Sequence, residues 1–381
     1  EFKDEQLITF MEITDYRPQF INEPGLATGF FFFFFHPEYE SNGLFYTMHN
    51  EDPATSTPAD FAYHDTIPIK VRWVVTEWTQ ADPASSTFSG ESRELFRIDM
   101  VSQIHGLQEL TFNPLAKPGD EDYGLLYLSV GDGGSVRDGY PFLTQDLSKP
   151  WGSIFRFDPA GRNSANGNYG IPDNNPYAED DDPTTLGEIW ARGFRNPHRL
   201  TWDAKDGKLL ASGIGQKQIE EVNIIEAGRN YGWPEREGTF LLNKHGDIQY
   251  VYPISGDLSE DDFTYPVVQF DHDEAAAISG GYVYYGEKLP DLQGHYIFGG
   301  IVNGRVFIVD AAELEFGKQA SIQEVFLQLE DGQRTTLREL TGKGRTDLRF
   351  GIDAAGELYI FTKADGKMYE VIGSEKKDAA M

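Results

Sequence analysis

Apolar residues in this chain come in short runs, and Gly, Pro, Asn or Asp closes nearly every one. Helical spacing is scarce. A chain interrupted this often has no room for long helices, and short apolar runs bounded by turn residues are the mark of strands. Five units can be marked, each an apolar strand, a turn near Pro or Asp-Gly, and a second strand. They lie in residues 25–49, in 104–114 with 124–134, in 193–203 with 207–215, in 279–286 with 294–310, and in 347–371. The expected class is all-β. The units recur at roughly 70 to 85 residues, longer than the usual propeller repeat of about 40 to 50, so long loops must separate the strands. Loops on a rigid scaffold are where function gathers.

Composition narrows the chemistry. There is no cysteine among the 381 residues, which excludes disulfides and thiolate metal sites. Asp and Glu number 62 against 32 Lys and Arg, a net charge of −30. Such a surface repels nucleic acid and anionic membranes and suits divalent cations or a salty medium, besides keeping the chain soluble. No run reaches the roughly 18 apolar residues of a membrane-spanning helix. The six aromatics Phe30 to Phe35 are too short to span and read as a buried strand. The acids at Glu179 to Asp182 lack an EF-hand pattern and read as a solvated run. No linker divides the chain, so residues 1–372 are expected to form one domain and 373–381 a disordered tail.

Chemistry concentrates between Glu188 and Gly238. EIWARGFRNPHRLTWD sets Arg195 and Asn196 ahead of Pro197. GKLLASGIGQKQIEEVNII sets Glu220 and Glu221 ahead of an apolar run. AGRNYGWPEREG makes a stiff turn with an aromatic anchor. Arg and Asn recognise planar anions, and carboxylates with turn carbonyls hold a hard cation such as calcium. Other histidines are scattered without the spacing of a histidine metal site, and no GxSxG elbow, Walker loop or Rossmann fingerprint occurs.

RNP followed by Arg, then EEVN, then NYGWP and EG, in this order and spacing, resembles the glucose/sorbosone dehydrogenase family. Its best-known members are soluble quinoprotein sugar dehydrogenases, six-bladed β-propellers that bind pyrroloquinoline quinone (PQQ) and calcium. The resemblance runs from Gly25 onward. Family members carry strands ahead of the one matching Leu7 to Thr14, so it implies a propeller whose first blade is incomplete here, with five units visible. It also implies a periplasmic or secreted protein, although no signal-peptide pattern is present.

The resemblance assigns roles residue by residue. His105 matches the base that takes the proton from the sugar C1 hydroxyl, and a near-neutral pKa suits that step; a histidine opening a strand can also serve only a backbone hydrogen bond. Asp132, in VGDGG, matches the acid beside that histidine, although Asp-Gly is also a standard turn pair. Arg195 and Asn196 match residues that contact the quinone, whose three carboxylates suit a guanidinium; a structural arginine on backbone carbonyls is the other reading. Glu221 and the carbonyl of Tyr231 match calcium ligands, as do the carbonyls of Gly215 and Gln216. A glutamine of the family is matched by Ile214, a family lysine is replaced near Asn303, and a final pair of arginines is matched by Gly344 and Thr346, with Arg345 between them as the cofactor-binding candidate that remains. At least two cationic contacts have therefore moved or gone. The function implied is PQQ- and calcium-dependent oxidation of a small aldose sugar at C1 to the lactone. The alternatives are a non-catalytic carbohydrate- or protein-binding propeller and a calcium-dependent hydrolase or lactonase.

Overall fold

The computed structural model describes residues 8–23, 28–64, 66–254 and 262–377. The chain divides into two compact units, one of Phe2–Pro197 with Glu226–Pro234 and one of His198–Ile225 with Glu235–Met381. Both are built of antiparallel sheets. Among the described residues the α-helices are three short ones, Ile13–Tyr16, Tyr39–Asn42 and Leu337–Thr341, and no helix is long and apolar enough to cross a membrane. The chain is all-β, as its punctuated apolar runs predict.

The first unit holds two four-stranded sheets, each with its strands in chain order. One is Phe30–Phe35, Leu44–Glu51, Val71–Gln80 and Gly90–Met100; the other is Leu107–Phe112, Leu126–Val130, Ser153–Phe157 and Ile189–Arg192. Their facing side chains make one core that includes Trp73, Phe96, Ile98, Met100, Leu110, Leu128 and Phe155. Both faces of most of these strands are covered, so they read as continuous apolar runs rather than alternating ones.

The second unit opens with Pro197–Trp202, Leu209–Gly213, Ile219–Ile225 and Val268–Asp271 in one sheet, with a small sheet of Arg236–Glu237, Phe240–Leu242 and Val251–Tyr252. A larger sheet follows: Ile278–Val283, His295–Gly300, Val306–Asp310, Gln323–Gln328 and Arg334–Thr335. Leu348–Ile352, Leu358–Thr362 and Lys367–Glu370 form the last. Four of the five strand units marked in the sequence fall in the sheets of four or more strands, and the fifth, in 347–371, forms the three-stranded last sheet.

Three expectations need correction. No strand forms in the described part of the Leu7 to Thr14 segment. Residues 8–12 are irregular and Ile13–Tyr16 is a helical turn, held by Phe88 N–H donating to Phe10 O at 2.8 Å; Leu7 lies outside the described residues. Phe10, Met11 and Ile13 pack on Phe45, Trp78 and Phe88, which anchors the segment without a ladder. The tail is not all frayed, because Ser374–Lys376 pairs antiparallel with Gln323–Gln328, while 378–381 lie outside the described residues. Phe30–Phe35 is a strand but not a buried one. It is an edge strand, with Phe31, Phe32 and Phe34 against the core and Phe33 55% exposed. A run of one residue type conceals which face is inward, because strand alternation is then invisible.

The difference is measurable. Phe96→Ala, at a fully buried position, is expected to cost about 3–5 kcal/mol in denaturant unfolding, whereas Phe33→Ala should stay within about 0.5 kcal/mol. Equal costs would contradict the placement of the edge strand.

Candidate functional site

In the first unit, His105 and Asp132 stand at the ends of facing loops. Gly131 N–H donates to Gly106 O and Gly133 N–H to His105 O, both at 2.9 Å, and these bonds draw the loops together. The approach needs Gly131, since a Cβ there would come within 2.2 Å of His105 O. His105 has a φ of 53°, a left-handed conformation that non-glycine residues adopt at a cost. The result is a short contact, His105 Nδ1 to Asp132 Oδ1 at 2.8 Å.

Asp132 is 1% exposed, and each of its oxygens is bonded. Oδ1 also accepts from Gly134 N–H at 2.7 Å, and Oδ2 accepts from Trp233 Nε1 at 3.2 Å. Burial alone would raise its pKa; the charge and hydrogen bond of His105, then Arg195 and the Gly134 amide, bring it below the ordinary value. An ionised carboxylate only accepts hydrogen bonds, so His105 Nδ1 carries the proton and Nε2 is left as the basic nitrogen. Burial and then Arg195 depress the pKa of His105, with Asp132 opposing them. The imidazole is thus neutral near pH 7 and able to take a proton.

Arg195 joins this site through backbone and charge. Its carbonyl accepts from Asp132 N–H at 2.7 Å, and its guanidinium lies 5.9 Å from the centre of the Trp233 ring, within reach of a cation–π attraction. Asn196 is 6% exposed and its Oδ1 has no hydrogen-bond partner among the described residues, an orphan that a ligand donor would satisfy. The loop after Glu226 completes the arrangement. Tyr231 N–H donates to Arg192 O and Trp233 N–H to Gly193 O, while Tyr231 stacks on Phe194 at 4.6 Å. Gly193, with φ 86°, is required, because a Cβ would meet Asn230 Oδ1 at 2.3 Å. Trp233 is the partner that the sequence shows only as an aromatic turn anchor.

The second unit carries Gly215, Gln216, Glu221 and Arg345. Gly215 makes a tight turn in which a Cβ would fall 1.7 Å from Ile219 O. The amides of Gln216, Lys217, Gln218 and Ile219 all donate to Glu237 Oε1, at 2.8 to 3.1 Å. Glu237 is 4% exposed, and its Oε2 is buried without a hydrogen bond among the described residues. Glu221 keeps a little exposed surface but is hemmed in by protein. Burial, with Glu237 and Glu220 adding to it and Asn223 opposing, pushes its pKa up to about 8. Two acids that repel each other, one with an orphan oxygen, fit a bound cation. Among the described residues no three His, Asp or Glu side chains close on a common point, so backbone carbonyls would have to supply the remaining ligands. Arg345 is 56% exposed at its side chain and bonds Asp347 at 2.7 Å. The run Glu179 to Asp182 is largely exposed.

The family description "Glucose / Sorbosone dehydrogenase" matches residues 25–369. The chain belongs to that family. It is similar to the HIPL2 protein of Arabidopsis thaliana, 32% identical over 305 residues, which is 69% of this chain and 41% of that protein. It is 26% identical over 249 residues to the aldose sugar dehydrogenase YliI of Escherichia coli, covering 65% of this chain and 57% of that one. The chain thus spans roughly half the length of these relatives or less. Among solved structures it resembles the PQQ-bound form of an aldose sugar dehydrogenase from Streptomyces coelicolor, with a TM-score of 0.54 at 23% identity over 92% of this chain and 78% of the other. That likeness is one of fold.

The His105 environment has a testable sign. Its folded pKa lies below the unfolded value near 6.5, so its contribution to stability is present above pH ~6.5 and is lost as pH falls through the folded pKa. Ring proton NMR should show titration below that of an exposed histidine. Asp132→Asn should lower the midpoint further and Arg195→Gln should raise it; shifts of opposite sign would refute the assignment.

Proposed function

We propose that this chain oxidises an aldose at C1 to the lactone with PQQ and calcium, and that His105 is its general base. The observation that carries the reading is the His105–Asp132 pair with Arg195 beside it. A neutral imidazole is held in one tautomer by an ionised, fully bonded carboxylate, next to a cation suited to an anionic ligand. The fold reading that goes with it is the propeller implied by the family resemblance, with each larger sheet a blade.

Arg195 and Asn196 are the residues that would hold the quinone in the first unit, one by charge and the other through its unpartnered amide oxygen. When bound, the quinone supplies a two-electron acceptor for the C1 hydride. His105 Nε2 takes the hydroxyl proton as that hydride leaves, and Asp132 stabilises the imidazolium so formed. Arg195, which disfavours a charged imidazole beforehand, keeps the base unprotonated in the resting state. In the second unit Glu221 and Glu237 would hold calcium, which offsets the repulsion between the two carboxylates. A periplasmic or secreted location accompanies this reading.

One observation favours a second reading, a propeller that binds a carbohydrate or protein without catalysis. The positions where family cations are expected offer none. Asn303 bonds Glu274 O at 2.9 Å, Thr346 is buried on Ile301 O at 3.1 Å, Gly344 has no side chain, and Arg345 engages Asp347. A ligand with three carboxylates would meet less positive charge in this chain than in a well-equipped dehydrogenase.

Titration of purified protein with PQQ and calcium, followed by absorbance and by dye-linked aldose oxidation, separates the readings. Micromolar PQQ binding with turnover supports the first; no PQQ binding at that level sinks it. His105→Ala should lower kcat by about 10²- to 10⁴-fold with cofactor affinity nearly unchanged. Arg195→Ala should instead weaken cofactor binding by roughly tenfold or more.

Calcium makes a separate prediction. A ligand bound to the folded state alone adds about 2.7 kcal/mol at one hundred times its Kd. Chelator should therefore lower Tm by several degrees, and Glu221→Ala should abolish most of that difference. A melting curve indifferent to chelator would remove calcium from the proposal.

A further inference from the structure

The His105 site is held from a side that its motifs do not show. Asp132 Oδ2 takes one hydrogen bond among the described residues, from Trp233 Nε1 at 3.2 Å. How well that bond is made depends on where the indole stands. The turn carrying Trp233 is pinned on one flank by backbone bonds, Tyr231 N–H to Arg192 O at 2.8 Å and Trp233 N–H to Gly193 O at 2.9 Å. On the other flank the side chain of Gln145 holds it. Gln145 Nε2 donates to Trp233 O at 2.6 Å and to Asn230 Oδ1 at 3.1 Å, and Gln145 Oε1 accepts from Asn230 Nδ2 at 2.8 Å. Asn230 Oδ1 also accepts from Gly232 N–H at 3.1 Å. The two amides form a reciprocal pair, and turning either one over would set oxygen against oxygen.

Gln145 is placed by the loop that begins at Asp132. Asp138 N–H donates to Gly134 O at 3.0 Å and Tyr140 N–H to Ser135 O at 2.8 Å, which folds residues 134–140 back on themselves. The 3₁₀ turn Pro141–Thr144 follows, with Leu143 2% and Thr144 1% exposed. Leu143 belongs to the core of the unit, so the residue after Thr144 starts from a fixed backbone. The loop that presents Asp132 to His105 thus returns, at its far end, to grip the turn that presents Trp233 to Asp132. In the sequence Gln145 is one polar residue in a loop, because its partners lie 85 and 88 positions away.

We propose that Gln145 is a positioning residue of the His105 site, which by pairing with Asn230 and holding the Trp233 carbonyl sets the indole that donates to Asp132. The inference rests on the dehydrogenase reading only in taking His105 as the base. Gln145 acts at one remove, through the indole. The positive end of the indole N–H dipole stands at Asp132 Oδ2, the oxygen that His105 leaves open. There it competes with the imidazole for the carboxylate and disfavours a charged ring. An indole set loose would leave Asp132 with more charge for His105. The imidazole would then keep a proton to higher pH, and less of the resting base would be available.

The test uses the full chain and needs neither cofactor nor sugar. Gln145→Met keeps the length of the side chain and removes its donors and acceptor, whereas Trp233→Phe keeps a ring and removes the indole N–H. NMR follows the His105 ring titration, assigned with His105→Gln, and solvent exchange of the Trp233 indole proton, assigned with Trp233→Phe. Gln145→Met should raise the His105 midpoint by about half a pH unit and speed indole exchange by about tenfold or more. Trp233→Phe should raise the midpoint by itself, and Gln145→Met added to it should do nothing further, because the effect passes through the indole. Phe142→Ala, at a position 59% exposed in the same loop, should move neither readout. Asn230→Ala spares the bond to the Trp233 carbonyl and should give a smaller shift of the same sign; it carries the test if near-UV circular dichroism shows Gln145→Met misfolded. A lower melting temperature with the midpoint and indole exchange unmoved is what a merely structural residue gives, and it overturns the proposal. So does a Gln145→Met shift that persists in full in the Trp233→Phe background. Neither readout depends on turnover, so failure of the dehydrogenase reading shows separately, as aldose oxidation retained by His105→Ala or as no PQQ bound by the wild type.

Discussion

The arrangement around His105 depends on one buried carboxylate. Asp132 accepts from an imidazole, an indole and a backbone amide, and its own N–H donates to the Arg195 carbonyl. Four segments of the first unit therefore meet at a single side chain: the loop before Leu107, the turn after Val130, the RNP segment, and the NYGWP turn. A buried charge is tolerated only when it is fully bonded or compensated. Here the compensation is the site itself. The demand that Asp132 be satisfied brings the base, the neighbouring cation and the aromatic ring into place together. It also accounts for two glycines, Gly131 and Gly193, whose neighbours approach too closely to admit a side chain.

Much of this was legible before the structure. The first strand of each of the five marked units was readable because apolar runs here end in residues that break strands, as at Pro37, Asn113 and Asp203. The RNP motif pointed to Arg195 and Asn196 and the EEVN motif to Glu221 in the strand Ile219–Ile225, whereas the NYGWP turn pointed to Tyr231 and showed Trp233 only as an aromatic anchor. What escaped depends on contacts distant in the chain. Nothing local indicates that Glu237 gathers four amides of the turn at Gln216; its neighbours in the sequence present it as one acid among many. The strand at Ser374–Lys376 reads as a polar tail because its backbone, not its side chains, makes the pairing. Phe30–Phe35 gave the opposite error, since uniform hydrophobicity hides an exposed face.

The second unit shows why departures from a family pattern need the structure to weigh them. Ile214, Asn303, Gly344 and Thr346 each replace a group expected to be polar or cationic, and sequence alone leaves open whether a neighbour compensates. Arg345 is the nearest candidate, and it is exposed and paired with Asp347. The acidic pair Glu221 and Glu237 survives these changes. A cation site and an organic anion site need not be lost together, because oxygen ligands for a metal and guanidinium ligands for carboxylates come from different residues. A chain that kept the first and weakened the second would still gain stability from its cation.

Two buried carboxyls in the first unit make the final contrast. Asp132 and Glu188 are about equally hidden, at 1% and 4% exposure, yet burial prevails at only one of them. Asp132 has an imidazole, two N–H donors and a nearby guanidinium, which together hold its pKa below the ordinary range. Glu188 has one phenol and its own backbone N–H, and burial carries its pKa upward despite those bonds. The difference follows from the partners, since no charged side chain stands among those that lower the pKa of Glu188. A carboxylate kept ionised can orient a base and steady the charge that base acquires, whereas one pushed toward its neutral form cannot. Environments that drive like groups apart mark distinct tasks, and of these two buried acids only Asp132 is equipped to serve the imidazole.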